Sequence, residues 1–395
     1  MLKGKSILLG ITGSVAAYKA IDLIKILKQE GASVRVIMTE ASKRFVTPLS
    51  VELAAGERVY TDMFEFPLSH VSLPASADLF IVAPATANSI SKYAQGIADD
   101  MLSTALLAFN GPPGRIIIAP AMNWRMYENE IFQKNLHYLT SFGIHVIGPE
   151  RGALACGEEG IGRMTDNEKI LESVIAALTK QDLAGEQVLV TAGPTREYLD
   201  PVRYITNRSS GKMGYALARI ARRRGAEVAL ISGPVSITPP AGVDMIFAES
   251  SQDMLNVVMD NIPMSTLFLM AAAVADFMPA ESKNSKIDKK DKFSLNLLKT
   301  TDILEAVGKL RQRPFAAGFS AETGPRIDRA RRKLTAKNID MIVFNDVSSK
   351  GSGFDVDTNE VVIIDRERER KLPVMDKEDV AGAIFDRILE LKYNN

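Results

Sequence analysis

One pattern, used twice, constrains this chain more than anything else in it. "KSILLGITGS" (residues 5–14) is an apolar run that ends in a glycine turn. Ala17, Ala20, Ile21, Ile24 and Leu27 then recur at helical spacing, Gly31 closes the segment, and "SVRVIMT" resumes an apolar extended run. The same order returns at residue 186: "EQVLVTAGPT", then Met213, Leu217 and Ile220 in helical register, Gly225, and "EVALISG". Strand, helix and strand joined this way give parallel neighbours with a right-handed crossover. Further runs follow each opening: "ADLFIVAP", "GRIIIAP" and "IHVIGP" in the first half, "DMIFAE", "LFLMAA", "PFAAGF" and "DMIVFN" in the second. They are apolar throughout rather than alternating, which marks strands covered on both faces.

The predicted fold class is therefore α/β, with two doubly wound, mostly parallel, Rossmann-like sheets in series. A chain of 395 residues exceeds what one core usually supports. The helical stretch "DNEKILESVIAALTK" ends near Lys180 and a polar joint follows, so the domains are expected at 1–185 and 186–395. Lys plus Arg number 48 and Asp plus Glu 48. That balance argues against broad binding to nucleic acid or to an anionic membrane. A single cysteine excludes an intramolecular disulfide and a cysteine zinc cluster, and it fits a reducing, cytoplasmic setting. The basic, apolar start is broken by Gly10 and Gly13, so it reads as a strand and turn rather than a signal peptide. Nor is there an apolar run of about 18 residues to span a membrane.

In such sheets ligands bind beyond the carboxyl ends of the strands. That directs attention to the turns "GITGS", "MTE", "APATAN", "APAMN", "AGPTRE", "AAAVADF" and "GFSAET". Exposed N–H groups at glycine turns and helix starts attract anions, so both halves are expected to take phosphate-bearing ligands. Neither half has G-x-G-x-x-G followed about 20 residues later by an acidic residue, which disfavours a nicotinamide dehydrogenase. The only cysteine, Cys156, sits in "GPERGALACGEEGIGRM" (residues 148–164), whose glycines predict a flexible surface loop.

"GITGSVAAYK", "MTEAS", "APATAN", "PAMNWRMY" and "ACGEEGIGRM" together resemble the homo-oligomeric flavin-containing cysteine decarboxylases, above all those acting on 4′-phosphopantothenoylcysteine. The resemblance covers residues 1–180. It implies bound FMN, with Gly13 and Ser14 at its phosphate and Thr39, Thr86, Ala87 and Asn88 also on the cofactor. It places His70 in catalysis, Asn123 on the substrate carboxylate, with Met126 and Tyr127 beside it, and Cys156 as a proton donor in a closing loop. Residue by residue, Asn123 also reads as a helix N-cap. The implied chemistry suits these residue types. A cysteinyl carboxylate leaves only if the carbanion is stabilised, and oxidation of the CH₂–SH carbon to a thioaldehyde provides that electron sink. CO₂ loss then gives an enethiolate, which needs a hydride and a proton to finish.

"TAGPTREYLDPVRYITNRSSGKMG" (residues 191–214) resembles the signature of phosphopantothenate–cysteine ligases. "AAAVADF", "KTTDIL", "GFSAET" and "KLTAKNIDMIVFND" follow in that family's order. The resemblance implies CTP and Mg²⁺, an acyl-cytidylate intermediate, and attack by the cysteine amine. Asn207 falls at the acyl intermediate, Asp276 at the nucleotide and the metal, and Phe319 at the base. Lys286, Lys333 and Lys337 fall at the triphosphate, Asp302 and Ile303 in the nucleotide turn, while Arg203 and Lys212 add charge. "KNSKIDKKDK" (283–292) is either a solvated charged loop or a flap over a triphosphate. Where bacterial members often read N-P-D-I, this chain has Thr300-Thr301-Asp302-Ile303, which leaves the choice of nucleotide open. The combined resemblance implies a two-step enzyme of coenzyme A biosynthesis working on 4′-phosphopantothenate and cysteine as a homo-oligomer, up to a dodecamer, with FMN at a subunit interface. Three rival readings stand beside it: a decarboxylase of peptide C-terminal cysteines, a non-catalytic flavin-binding regulatory protein, and a dinucleotide oxidoreductase.

Overall fold

The computed structural model describes the chain except residues 1, 154–156, 289–293, 325, 347, 349–352, 354–355 and 394–395. It divides into two compact units, Met1–Lys180 and Gln181–Asn395.

Unit 1 holds a six-stranded sheet of β1 (Ser6–Ile11), β2 (Ser33–Met38), β3 (Val59–Tyr60), β4 (Leu79–Ala85), β5 (Ile116–Pro120) and β6 (His145–Val146). The order is β3-β2-β1-β4-β5-β6 and every pairing is parallel. Side chains of β1 alternate between two core layers, as the period of a strand requires. Ile7, Leu9 and Ile11 pack with Leu23, Ile24 and Leu27 of the helix Lys19–Gln29 and with the helix Asn167–Leu178. Leu8 packs with Leu102 and Leu106 of the helix Met101–Ala108. A Cβ at Gly10 would stand 2.4 Å from Leu102 Cδ1, so the glycine is what lets that helix lie close. The strand order reverses between β1 and β4, which opens a crevice at their carboxyl ends.

The segment carrying the single cysteine departs from expectation. Residues 148–164 are not a loop throughout: β7 (Glu150–Ala153) and β8 (Glu159–Arg163) pair antiparallel. Two of its glycines serve close packing rather than mobility. A Cβ on Gly160 would lie 2.8 Å from the Trp124 side chain, and one on Gly162 only 2.1 Å from the Met122 carbonyl. Cys156 itself lies outside the described residues.

Unit 2 begins with β9 (Gln187–Ala192) and a small antiparallel ribbon, β10 (Arg196–Tyr198) with β11 (Tyr204–Thr206). β12 (Glu227–Ser232), β13 (Asp244–Phe247) and β14 (Leu267–Met270) follow, then a second ribbon of β15 (Phe277–Pro279) and β16 (Leu297–Lys299). β17 (Phe315–Glu322) and β18 (Met341–Asp346) complete the parallel part. After β19 (Thr358–Asn359), β20 (Val361–Asp365) and β21 (Glu369–Lys371) extend it antiparallel, while β22 (Met375–Asp376) pairs with β19. The large sheet runs β13-β12-β9-β14-β17-β18-β20-β21, with its switch point between β9 and β14. Val188, Val190 and Ala192 face the helices Lys212–Arg223 and Lys377–Tyr393, and Leu189 faces Met254, Ile303 and Leu334 on the other side. The antiparallel extension is held to the last helix by a buried pair, Arg387 Nε to Asp365 Oδ2 at 2.8 Å.

The α/β, doubly wound class read from the sequence is thus the class observed, with an antiparallel edge added to the second sheet. Among the described residues no helix is long and apolar enough to cross a membrane.

Candidate functional site

In unit 1 the crevice at the ends of β1, β2, β4 and β5 is a cavity of about 970 Å³. Gly13 and Ser14 after β1, Thr39 after β2, and Thr86, Ala87 and Asn88 after β4 all line it, as do Asn123 and Met126 after β5. The local chemistry explains why these turns hold their shape. Thr12, fully buried, donates its hydroxyl to Pro84 O (2.7 Å) and accepts from Thr86 N–H (2.9 Å), tying the two switch-point strands together. Ser14 Oγ accepts from Ala16 N–H at 3.3 Å, and Thr86 Oγ1 accepts from Ser89 N–H at 3.4 Å. A Cβ on Gly13 would stand 2.5 Å from Ala41 Cβ, so this glycine lets the first and second turns approach.

Asn123 is the helix N-cap read from the sequence. Its Oδ1 accepts from Arg125 N–H at 2.9 Å, capping the turn Trp124–Tyr127, and the residue lines the cavity. The β7–β8 hairpin is fastened to the same turn: Met122 N–H donates to Gly162 O (3.0 Å), and Glu158 accepts from Trp124 Nε1 and Arg125 Nη2, each at 2.7 Å. Ala153, Gly162, Arg163 and Met164 consequently wall one side of the cavity.

His70 is not among the residues around it. It is the second residue of the helix Ser69–Ala75, and its Nδ1 is buried without a hydrogen-bond partner among the described residues. Sequence reasoning missed Thr12, Lys19, Lys92 and Asp100. Lys92 pairs with Asp99 (2.6 Å) and Asp100 (3.0 Å). Burial opposes its charge, but those two carboxylates outweigh burial and hold the ammonium above its ordinary pKa. "DDMLS" at residues 99–103 was a legible signal: Asp100 and Ser103 form a capping box ahead of an apolar helix.

Unit 2 has a cavity of about 470 Å³ at the ends of β14 and β17. Gly214 would put a Cβ 2.5 Å from Ala192 Cβ, so the helix Lys212–Arg223 sits close to β9 and brings its start, Gly211–Gly214, to the cavity wall. Asn207, Lys212, Asp276, Asp302, Ile303, Phe319, Lys333 and Lys337 line it as well. Three of the lysines are matched with carboxylates: Lys212 with Asp357 (2.7 Å), Lys333 with Glu322 (2.9 Å) and Lys337 with Asp302 (2.6 Å). Asp302 also caps the helix Ile303–Gly308 by accepting from Glu305 N–H at 3.0 Å. Asn207 Nδ2 donates to Val274 O at 2.9 Å. Asp276 is exposed, and no cluster of three metal-ligating side chains occurs among the described residues.

Two predicted residues lie elsewhere. Arg203 donates to Asp200 Oδ2 (3.3 Å) and Ile287 O (3.0 Å), and neither Arg203 nor Lys286 lines the cavity. Asp200, buried, also accepts from the N–H groups of Val202, Arg203 and Ile287. Arg203 Nη1 therefore helps hold the chain at residue 287. Lys299, Asn345, Asn359 and the buried Lys377 are lining residues the sequence did not disclose. Thr300 fixes the Asp276 turn, donating Oγ1–H to Ala275 O at 2.6 Å and N–H to Asp276 O at 3.0 Å.

Comparison with known proteins is consistent across the chain. Residues 1–179 match the family model described as Flavoprotein, and residues 183–391 match that of the DNA/pantothenate metabolism flavoprotein C-terminal domain. A coenzyme A biosynthesis bifunctional protein CoaBC from Bacillus subtilis (strain 168) is 45% identical, over 99% of this chain and 98% of its own. Its namesake in Haemophilus influenzae is 43% identical, over 98% of each. The solved C-terminal domain of a CoaBC protein is 37% identical, covers 55% of this chain and all of its own, and superposes with a TM-score of 0.48.

Proposed function

The chain belongs to the family of bifunctional coenzyme A biosynthesis proteins, and on that premise we propose how its two units divide the work. Unit 2 joins cysteine to 4′-phosphopantothenate with CTP and Mg²⁺, and unit 1 decarboxylates the product to 4′-phosphopantetheine with FMN. The observation that carries the assignment is that each cavity gathers segments from distant parts of one unit's sequence beyond the carboxyl ends of its parallel strands. The full-length match to bifunctional relatives leaves a peptide decarboxylase, a regulatory flavin binder and a dinucleotide oxidoreductase without a use for the second unit.

The unit 1 cavity fits FMN in chemistry and in size. Gly13 and Ser14 line the cavity at the start of a helical stretch, where the positive end of the backbone suits a phosphate. When bound there, FMN supplies the two-electron oxidation of the substrate carbon and its later reversal. The chain's own residues do the rest. Asn123 Oδ1 is committed to Arg125 N–H, so the amide's donor end is the one that meets the substrate carboxylate. His70 handles the substrate's proton. That it does not line the cavity of its own chain supports a homo-oligomer in which one protomer's His70 serves its partner's cavity. Cys156 is the proposed proton donor after CO₂ loss.

In unit 2 the reaction concentrates negative charge, which Lys333, Lys337 and the start of the helix Lys212–Arg223 counter. Phe319 flanks the base, and Asn207 holds the acyl group. Asp276 is assigned to the nucleotide and, with the nucleotide's own oxygens, to Mg²⁺, because among the described residues no group of three metal-ligating side chains would hold an independent ion. The reading also places the protein in the cytoplasm. Purified protein given phosphopantothenate, cysteine, Mg²⁺ and either CTP or ATP tests it. Equal release of CO₂ and CMP, from protein carrying a flavin spectrum, is the expected result. A colourless preparation, AMP in place of CMP, or CO₂ without nucleotide cleavage would each overturn one part.

A further inference from the structure

Lys333 is held in place, and the manner of holding is specific. β17 ends with Ser320 and Glu322, two residues apart and so on one face of the strand, the face that also carries Ala316 toward Leu334 and Ala330. The helix Ile327–Ala336 packs Ala330 and Leu334 against that layer. Lys333 is one position round from this stripe, and its Nζ donates to Ser320 Oγ at 3.0 Å and Glu322 Oε1 at 2.9 Å. Ser320 is buried, and the Glu322 side chain is only 12% exposed. Arg329 Nη1 approaches the other carboxylate oxygen at 3.3 Å. Burial pushes the Glu322 carboxyl toward neutrality, but Lys333 and Arg329 outweigh it and keep the carboxylate ionised. An ammonium has three N–H donors. Two of Lys333's are committed along β17, which leaves the third for the cavity that Lys333 lines.

A carboxylate beside an anion-binding lysine has two possible effects. It repels the incoming anion, or it fixes an otherwise flexible side chain at a useful place. Free lysine side chains carry up to about 2 kcal/mol of rotamer entropy, so fixing one in advance favours binding. Glu322 lies on the strand side of Lys333 and does not line the cavity, which separates it from the ligand while leaving its hold on the lysine intact.

We propose that Glu322 is a positioning residue for nucleotide binding in unit 2, acting through Lys333 and not by touching the ligand. The proposal rests on the reading that Lys333 faces the nucleotide's phosphates.

The test is a double-mutant cycle on the full-length protein, with ligation measured at varied CTP and saturating Mg²⁺, phosphopantothenate and cysteine. Glu322→Gln should raise the KM for CTP about five- to tenfold, the loss expected for one charge-assisted hydrogen bond, and change kcat by less than about twofold. Glu322→Asp should fall between. In a Lys333→Met background, Glu322→Gln should add less than about twofold, because the lysine it positions is gone. Near-ultraviolet circular dichroism checks that each variant folds. If Glu322→Gln does not fold, Ser320→Ala removes the lysine's other anchor and should raise the same KM. An unchanged or lowered KM in Glu322→Gln overturns the proposal, the lowered value showing that the carboxylate competes with the anion. So does an equal loss with and without Lys333. If Lys333→Met alone leaves the KM unchanged, the phosphate reading of Lys333 fails, and the proposal fails with it.

Discussion

Replacing Gly13 by alanine probes the unit 1 cavity at its tightest point. The new methyl would meet Ala41 Cβ at 2.5 Å, Ala41 C at 3.1 Å and Ala41 O at 3.2 Å. Two of these atoms are backbone, so no side chain can swing away. Restoring ordinary contact requires the turn after β1 and the turn after β2 to separate by about 0.9 Å. Overpacking of this kind costs about 1–3 kcal/mol in a well-packed region. Both turns line the cavity, so the strain falls where the cofactor is assigned. The structure therefore predicts that Gly13→Ala folds but loosens FMN by at least about tenfold, or about 1.4 kcal/mol. Titration of flavin-free protein with FMN, followed by quenching of its fluorescence, gives the Kd directly, and the unfolding midpoint reports the cost to the fold. Unchanged affinity with stoichiometric flavin would refute the reasoning, because the two turns would then not shape the binding site.

Thr12→Val deletes both side-chain hydrogen bonds between the ends of β1 and β4, one buried and one half-buried, and leaves Pro84 O and Thr86 N–H without that partner. A loss of about 2–4 kcal/mol is expected in urea unfolding, together with weaker FMN binding. Arg203→Gln should loosen the chain around Ile287 and so speed tryptic cleavage within 283–292, while CTP affinity changes less than in Lys337→Met, since Lys337 lines the cavity and Arg203 does not. Asp365→Asn should cost about 3 kcal/mol at neutral pH by breaking the buried pair with Arg387. Burial alone would raise the Asp365 pKa, but Arg387 and the Glu367 and Arg368 N–H groups outweigh it and hold it below the ordinary 3.8. A carboxyl depressed in the folded state contributes stability above its unfolded pKa and loses it as pH falls through the folded one. The gap between Asp365→Asn and the parent should therefore be full at pH 7 and close below about pH 4 in thermal unfolding scans.

The sheets were legible because buried parallel strands are written as unbroken apolar runs, and each of the named runs contains a strand of its sheet. β20 and β21 were not. "VVIID" is short and lies between charged stretches, and only pairing to β18 shows that it belongs to the sheet. The cavity turns were legible for the same reason as the strands they follow, since position after a parallel strand predicts the switch-point crevice. The glycines of residues 148–164 misled because sequence does not distinguish a glycine that gives freedom from one that permits contact. Gly162 beneath the Met122 carbonyl is of the second kind. Arg203 looked like a phosphate cation, yet Asp200 three residues earlier was already its partner. Lys333 and Lys337 were found, but the carboxylates that hold them come from β17 and from the cap of another helix, a proximity that only the fold creates.

The central claim is that one chain carries two chemically independent sites, and His70→Asn tests it most directly. Given phosphopantothenate, cysteine, Mg²⁺ and CTP, this variant should release CMP at the parental rate and keep its flavin. It should accumulate phosphopantothenoylcysteine, identified by mass spectrometry, with CO₂ release reduced by at least about a hundredfold, the scale of one lost acid–base group. CO₂ release at the parental rate, or a loss of CMP release in parallel with CO₂, would contradict the account.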